Sequence, residues 1–397
     1  MKYSRFFLTV VLALFIGEQV QAIPAFARKY GISCMMCHAP AAPKLKDYGA
    51  TFAGSGFKLN DYQAPRYFQD AGDDKLSLIR DIPIAVRIDG YIQVGFSGDG
   101  KVDMSAPYLV KILSGGQLSE KLAYYFYFFM DERGEVAGVE DAFLVYDNLF
   151  NTELDIYLGQ FQVSDPLFKR ELRLTFEDYH VYGSQIGLSD FNLKYDKGIM
   201  LTYSLPTSTD IVFELVNGNG LSGLQDRGFF DKDRYKNSMG RISQGIGDFL
   251  RIGAMGYLGK EEITHELLSV TNQAWFVGPD ATLSFSDKLE VNFQYVMRHD
   301  DEVLTGDIAE NLITDINTMG MMGEFVYSPQ GDKSNWFMVG LYNRVQSDFQ
   351  PADYHSATVH LGYLLRRNVR LGLEYTQVFT DPESQFGRLS FGFVAGI

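Results

Sequence analysis

The chain has 397 residues, with 35 Lys and Arg against 50 Asp and Glu and a formal net charge of -15 at pH 7. Because so acidic a chain binds polyanions poorly, we expect no nucleic-acid partner. The chain shows no catalytic triad, phosphate-binding loop or paired-carboxylate motif, so we predict no catalytic residues, and its 24 Tyr, 31 Phe and 39 Gly suit strands and tight turns.

The first segment has the features of a secretory signal peptide. Two basic residues precede an apolar run from Phe6 to Ile16, and Val20-Gln21-Ala22 places small residues where signal peptidase cleaves. The alternative, a membrane anchor, is disfavoured because a spanning helix needs about 20 apolar residues. We therefore predict that residues 1–22 are removed and that the exported chain begins near Ile23.

The two cysteines, Cys34 and Cys37, form a Cys-x-x-Cys-His motif with His38. Exported cysteine pairs often form disulfides, so a disulfide is one interpretation; a zinc site is a second, although tetrahedral zinc needs four ligands and the segment supplies at most three. The third is a covalent c-type haem, with two thioethers to the porphyrin and His38 as the proximal iron ligand. The His directly after the second Cys favours haem, and we predict one haem c here.

From residue 82 onwards, apolar residues recur at every second position, which is the period of a β-strand. In "KLEVNFQYVMRH", for example, Val291 and Phe293 alternate with Asn292 and Gln294. Short connections alternate with longer ones, as in barrels of the bacterial outer membrane. The sequence therefore predicts an all-β protein in which residues 82–397 form a 16-stranded antiparallel transmembrane β-barrel, porin-like, with a periplasmic N-terminus.

The predicted strands lie near residues 82–96, 106–115, 120–129, 139–147, 153–162, 197–205, 209–217, 236–246, 249–259, 271–285, 288–298, 317–328, 335–346, 355–365, 368–379 and 386–396. The alternative is a large soluble β-protein. Against it, the predicted inward faces carry more ions than a sandwich core tolerates, whereas a water-filled lumen accommodates them. These inward residues are Arg87, Asp89, Asp155, Arg241, Arg251, Glu290, Arg298, Glu324, Arg370, Glu374 and Arg388.

Two long connections, 162–196 and 218–235, are predicted on the outer side, where external protease should cut them. By its position as the third outer loop, 162–196 is expected to fold inward and narrow the channel, with a short helix in "KRELRLTFEDYHVY". Its Glu171, Glu177, Asp178 and His180 are candidate ligands for a cation near the outer mouth. The simpler interpretation is a solvated constriction loop.

The run "AIPAFARKYGISCMMCHAPAAPKLKDYGATFAGSGFKL" closely resembles the N-terminal signature of the fused outer-membrane monohaem cytochrome–porins, best known from iron-oxidising bacteria. The matching positions are Phe26, Ala27, Arg28, Cys34, Cys37, His38, Pro43, Leu45, Gly49, Phe52 and Gly56. Over residues 82–397 the resemblance is one of architecture. It implies that residues 23–81 form a monohaem cytochrome c-like segment, placed as a plug in the barrel lumen or at its periplasmic side.

The resemblance implies electron transfer across the outer membrane through this single haem. An extracellular donor, with Fe(II) as the first candidate, would pass electrons to a periplasmic c-type cytochrome, which amounts to an Fe(II) oxidase activity. The sequence fixes neither the donor nor the direction of flow. The alternative is a substrate-selective porin whose N-terminal Cys pair is structural or redox-sensing, and in both cases outer-membrane lipid surrounds the barrel.

The composition of the N-terminal segment limits the candidates for the second axial ligand of the iron. Residues 39–81 contain no His and no Met, and Met35 and Met36 lie inside the attachment loop, from which they cannot reach the far side of the porphyrin. The remaining candidates are water, a barrel residue, or a side chain of the segment, namely Lys44, Lys46, Tyr48 or Lys58. In "HSATVHLGYLL", strand parity turns His360 towards the lumen. His360 is therefore the candidate distal ligand from the barrel, and Met322 is a weaker one. The alternative for His360 is a lumen-lining side chain that is hydrogen-bonded to a neighbour.

Overall fold

The structure, a computed structural model, describes residues 25–59, 68–73, 75–96, 100–225, 228–265, 268–305, 313–380 and 386–397. The predicted signal peptide lies outside the described residues, as does part of the segment between the cysteine motif and the barrel.

The described residues form a closed antiparallel barrel of sixteen strands, in which each strand pairs with its neighbours in sequence and the last strand pairs with the first. The strands are β1 (Ile84–Gly95), β2 (Val102–Gln117), β3 (Leu122–Glu132), β4 (Gly138–Leu149), β5 (Leu154–Gln162), β6 (Tyr195–Leu205), β7 (Thr209–Val216), β8 (Asn237–Ile246), β9 (Leu250–His265), β10 (Leu268–Phe285), β11 (Leu289–Leu304), β12 (Ile313–Tyr327), β13 (Trp336–Ser347), β14 (Tyr354–Arg366), β15 (Val369–Val378) and β16 (Phe386–Gly396). The predicted fold class is confirmed, and every predicted strand overlaps one of these.

The two faces of each strand differ as the period-two pattern predicts. On β14, Val359, Leu361 and Tyr363 point away from the lumen and are 50, 44 and 51% exposed, whereas Thr358 and His360 point inward and are 3 and 5% exposed. Exposed apolar side chains recur in this way around the barrel. Such an outward apolar surface is what a barrel presents to lipid.

The N-terminal segment contains two short helices, α1 (Ala25–Tyr30) and α2 (Asp47–Gly54). No helix in the described part of the chain is long and apolar enough to cross a bilayer. The segment lies inside the barrel at the end where the short turns are. There Lys44 forms a salt bridge with Glu290 of β11 at 2.7 Å, and Lys46 forms one with Asp332 of the β12–β13 connection at 2.6 Å.

Apolar contacts also hold the segment against the inner wall. On one side of the lumen Ala41 is buried with Phe337 and Leu364, which point inward from β13 and β14. On the opposite side the ring of Phe57 stacks on that of Tyr125 of β3 at 5.3 Å between centroids. The segment therefore crosses the lumen and contacts walls on both sides.

The β5–β6 loop, residues 163–194, folds into the lumen as predicted. It contains two 3-10 turns, Arg170–Leu172 and His180–Tyr182, instead of the expected short α-helix. The barrel wall provides hydrogen-bond partners for the loop backbone, because Glu374 accepts hydrogen bonds from the N–H groups of Phe176 and Glu177. Backbone groups bonded in this way need no helix.

Part of the lumen under this loop is packed with side chains. The water-filled lumen and the solvated constriction loop stay predictions, since a cavity remains between the loop and the N-terminal segment. Tyr182 and Phe191 of the loop are each 1% exposed and cluster with inward residues of the wall, among them Met322 at 0%. Several inward charges form ion pairs, as in Arg298 with Asp300 and Arg241 with Asp280. Pairing is what allows ions to be buried.

The two long outer loops differ in how exposed their basic side chains are, and this changes the expected pattern of external proteolysis. In the β7–β8 loop the side chains of Lys232 and Lys236 are 43 and 46% exposed. In the β5–β6 loop those of Lys169 and Arg170 are only 16 and 15% exposed and form ion pairs. We therefore expect trypsin added to intact cells to cut the β7–β8 loop and to spare the β5–β6 loop. Mass spectrometry of the fragments checks this, and early cleavage after Lys169 would contradict the inward placement.

Candidate functional site

The cysteine motif forms a single tight turn at the surface of the N-terminal segment. Cys34–Met36 is a 3-10 helix whose first N–H groups are capped by Ser33, with Oγ accepting from Met35 N at 3.3 Å. Beyond it, the N–H groups of Cys37 and His38 donate to Cys34 O at 3.2 and 2.9 Å. Both cysteines are half-buried free thiols, so the disulfide interpretation is not the arrangement found here.

His38 is held by the chain that returns past it. The residue forms an isolated β-bridge with Leu45, and its Nδ1 lies 3.1 Å from Lys44 O. A proton on Nδ1 satisfies that carbonyl and leaves the lone pair on Nε2, which is the arrangement of metal-binding histidines. Burial lowers the pKa of His38 below its ordinary value, so the imidazole is neutral at neutral pH, as a ligand must be.

Helix α2 packs directly on this turn because it has a glycine at the contact. A Cβ atom at Gly49 would lie 2.3 Å from Cys37 O, which is too close for any other residue without movement. Phe52 of α2 meets Phe26 of α1 edge to face at 5.2 Å between centroids, and Phe26 stacks on Phe57 at 4.9 Å. Several residues of the quoted N-terminal signature thus build the support of the Cys34–His38 turn.

We expect Gly49→Ala to push α2 off the turn and to raise the rate at which Cys37 is alkylated in protein expressed without haem attachment. Gly54→Ala is the matched control, because a Cβ at Gly54 meets no atom within 4 Å. Alkylation followed by peptide mass spectrometry measures the rates. Equal rates in the two variants would show that the close approach of α2 to Cys37 is unimportant.

His360 occupies a second site on the inner wall. As predicted from parity it faces the lumen, and its Nδ1 lies 3.0 Å from Glu374 Oε2 on β15. Its ring stacks beside Phe337 at 5.9 Å between centroids. Nε2 is buried and finds no hydrogen-bond partner among the described residues. Met322 also faces inward, as predicted, but lies in the apolar cluster under the β5–β6 loop.

The hypothesis of a cation site in the β5–β6 loop is wrong. Its carboxylates are taken up by basic side chains: Glu171 by Lys111 at 2.8 Å, Asp178 by Arg170, and Glu177 by Arg388 at 2.7 Å. Within the described residues no group of three or more His, Cys, Asp or Glu is placed to hold a metal ion. The sequence shows these acids but cannot show which basic side chains lie opposite them.

A cavity of about 500 Å³, which could not be foreseen from the sequence, lies between the N-terminal segment, the loop and the inner wall. Leu45, the bridge partner of His38, lines it together with Phe168 and Leu172 of the loop and with Glu290 and Asn292 of β11. Neither cysteine nor His38 lines this cavity. Two free thiols on one turn and an imidazole fixed through Nδ1 are the groups that would hold a covalently attached haem. They do not fit tetrahedral zinc, for which the turn lacks a fourth ligand.

Solved structures with similar folds are outer-membrane channels. The DcaP channel of Acinetobacter baumannii is 14% identical, with a TM-score of 0.56 over 80% of this chain and 97% of its own. OmpF of Salmonella typhi, in complex with daunomycin, is 12% identical with a TM-score of 0.57, covering 80% and 97%. An anion-selective porin from Comamonas acidovorans is 12% identical with a TM-score of 0.54, covering 80% and 99%.

The chain has the fold of an outer-membrane porin. The predicted outer-membrane location agrees with this fold and with the outward apolar surface, which implies contact with membrane lipid. No protein-family model and no curated protein matches the sequence. The similarity thus defines the porin-like barrel, and the cysteine motif has to be interpreted from its own geometry.

Proposed function

We propose that this porin-like barrel transfers electrons across the outer membrane through one haem attached to Cys34 and Cys37, with His38 as the proximal iron ligand. The observation that supports it best is the position of the Cys34–His38 turn: its segment is held inside the barrel by the Lys44–Glu290 and Lys46–Asp332 salt bridges. A redox group there would lie within the membrane protein itself and not on a separate soluble domain.

The residues around the turn suit this task. When bound, the haem supplies a one-electron Fe(III)/Fe(II) couple. Lys44 O orients the His38 ring through Nδ1, and such outer-shell hydrogen bonds fix the tautomer of a ligating histidine. The chain has two cysteines, so each half-buried thiol has only the other as a possible disulfide partner within the chain. Packing of Phe26, Phe52 and Phe57 keeps the small segment folded against the wall.

The filling of the lumen favours electrons over solutes as the species conducted. An ordinary sixteen-stranded porin has an aqueous channel. Here the β5–β6 loop and the N-terminal segment enter the barrel from opposite ends, and inward residues such as Gln294 and Asn343 are 0% exposed. A densely packed interior passes an electron between bound groups more readily than it passes a hydrated solute.

The proposed donor is an extracellular reductant, with Fe(II) as the first candidate, which loses one electron and becomes Fe(III). The proposed acceptor is a periplasmic c-type cytochrome, which gains that electron. Both follow from the resemblance of the N-terminal segment to cytochrome–porins. The short-turn end of the barrel, where the segment makes its salt bridges, is the side at which such an acceptor would dock.

The second candidate is a substrate-selective porin in which Cys34 and Cys37 form a structural or redox-sensing pair. It is favoured by the channels among the structural neighbours, such as the anion-selective porin from Comamonas acidovorans. A pyridine haemochrome spectrum of the purified protein separates the two candidates. For the electron-transfer function, proteoliposomes holding oxidised cytochrome c inside should reduce it when Fe(II) is added outside, and no reduction with haem-loaded protein would disprove it.

A further inference from the structure

We propose that the packed part of the lumen binds one soft monovalent metal ion, Cu(I), through Glu214, Met200 and Met239. This site is separate from the cysteine motif and goes beyond the proposed electron transfer. Its three side chains come from three adjacent strands of the wall. The ion neutralises a buried carboxylate that the polypeptide leaves without a partner.

Glu214 lies on the inner face of β7 and is 0% exposed. Its neighbours on the same face, Val212 and Val216, are buried as well, whereas Phe213 and Leu215 point outward. Neither carboxylate oxygen of Glu214 has a hydrogen-bond partner among the described residues. Because an unpaired buried charge is very costly, this carboxyl group is stable there only with a proton or a cation bound to it.

The charged side chains that act on Glu214 are themselves acidic, namely Asp165 and Asp196. Lys169, the basic partner of Asp165, also forms a salt bridge with Asp141 at 3.2 Å. Within the described part of the chain no basic group contacts the carboxylate of Glu214. The surroundings of Glu214 therefore favour a cation that comes from outside the polypeptide.

A methionine stands directly opposite Glu214 on each of the two neighbouring strands. Met200 of β6 and Met239 of β8 are its cross-strand partners, and both are buried on the same inner face. Directly paired side chains have their Cβ atoms about 4.5–5.5 Å apart. The thioether side chains have three rotatable bonds, which allow both sulfur atoms to turn towards the carboxylate.

This set of donor atoms selects the metal. Thioether sulfur binds soft ions such as Cu(I), whereas Mg²⁺ and Ca²⁺ require several oxygen ligands and this site offers only the two oxygens of Glu214. Two neutral thioethers and one carboxylate carry a single negative charge. A monovalent ion makes the site neutral, and a neutral site is the kind that a packed interior accommodates.

The β5–β6 loop covers the site. Met200 and Met239 belong to the same apolar cluster as Tyr182 and Phe191 of the loop. The ion is therefore taken up while the barrel folds, before the loop has packed. An ion that binds the folded barrel and not the unfolded chain stabilises the barrel. We expect the heat-dependent gel shift to occur at a higher temperature when Cu(I) is bound.

The test uses the full-length exported chain with Cys34→Ala and Cys37→Ala, so that the thiols cannot bind the metal. This parent barrel is folded into detergent micelles with Cu(I) and ascorbate and is then exposed to the Cu(I) chelator bicinchoninate. We expect one copper per chain to remain by elemental mass spectrometry, with sulfur neighbours in the X-ray absorption spectrum of the copper.

Glu214→Gln keeps the shape of the side chain and removes its charge. It should bind Cu(I) at least about tenfold more weakly, since even outer-shell partners of a metal contribute about 10–100-fold to affinity. Met322→Leu is the matched control. Met322 is buried in the same cluster, but its cross-strand partners are the amides Gln294 and Asn343, so this variant should retain copper.

Replacing Met200 and Met239 together by leucine keeps apolar bulk and should remove both the copper and its sulfur signal. The gel shift without copper checks that each variant is folded, and Glu214→Gln should fold well because it removes a buried charge. A parent barrel that retains no copper, or one that retains no more than Glu214→Gln, would overturn the inference and indicate a protonated Glu214. Since no haem takes part in these measurements, either result would leave the proposed function standing.

Discussion

Replacing Cys34 and Cys37 together by alanine is expected to remove all covalently bound haem while leaving the barrel assembled. Each thiol would supply one thioether, and the structure places both on the same 3-10 turn with no other cysteine in the chain. Haem stain on a denaturing gel should fall to background, and Fe(II)-driven reduction of cytochrome c inside proteoliposomes should fall to the rate of empty vesicles.

Met35 and Met36, which lie between the cysteines, provide the matched control. Changing both to alanine alters the same turn but neither thioether position, so stain and electron transfer should remain near the wild-type level. The heat-dependent gel shift typical of folded barrels checks assembly in each variant. Haem stain retained by the double cysteine variant would contradict the attachment, and a stained wild type with no electron transfer would contradict the function.

Removing the β5–β6 loop from the lumen is expected to turn a nearly closed barrel into a conducting channel. The base of the loop is an extension of the β5–β6 pairing, with Val163 N donating to Lys194 O at 2.7 Å and Ser164 N to Leu193 O at 3.1 Å. Residues 165–192 can therefore be replaced by a short Gly-Ser turn without disturbing the strands. Because this loop covers the inward face of the wall, single-channel conductance in planar bilayers should rise severalfold.

The matched control is a variant of the wall that leaves the loop in place and removes one of its polar anchors. Arg388→Ala removes the salt bridge to Glu177 of the loop, but leaves Tyr179 and Tyr182 packed in the lumen. We expect it to conduct slightly more than the wild type and far less than the loop replacement. A wild type that conducts as freely as an ordinary porin would show that the lumen is open, and would favour the porin function over the electron-transfer function.

Local pattern was enough to predict the barrel. In strands such as β11, Phe293 and Met297 alternate with Asn292 and Gln294, and this alternation specifies which face meets lipid, because strand side chains point to opposite faces in turn. The same parity correctly turned His360 inward. Strand number followed from counting such runs between turns, and closure followed because a membrane barrel must leave no edge unpaired.

The contents of the lumen could not be predicted in the same way. The sequence indicated that residues 162–196 fold inward, yet the short helix and the cation site that it suggested there are not found in the structure. In the structure Glu177 forms a salt bridge with Arg388, a residue 211 positions away, and Phe176 N donates a hydrogen bond to Glu374. Such partners are set by the curvature and register of the whole barrel, which no local pattern encodes.

The sequence by itself determined the cysteine motif, its place before the barrel, the strand alternation and the inward direction of His360, because each depends only on neighbouring residues. Tertiary structure decided that the motif segment lies inside the lumen, where Lys44 forms a salt bridge with the distant Glu290. It also decided that Glu374 faces both His360 and the loop backbone. The physical reason is that closing sixteen strands into one barrel brings distant residues to the same interior, and only there do buried charges find the partners that make their burial possible.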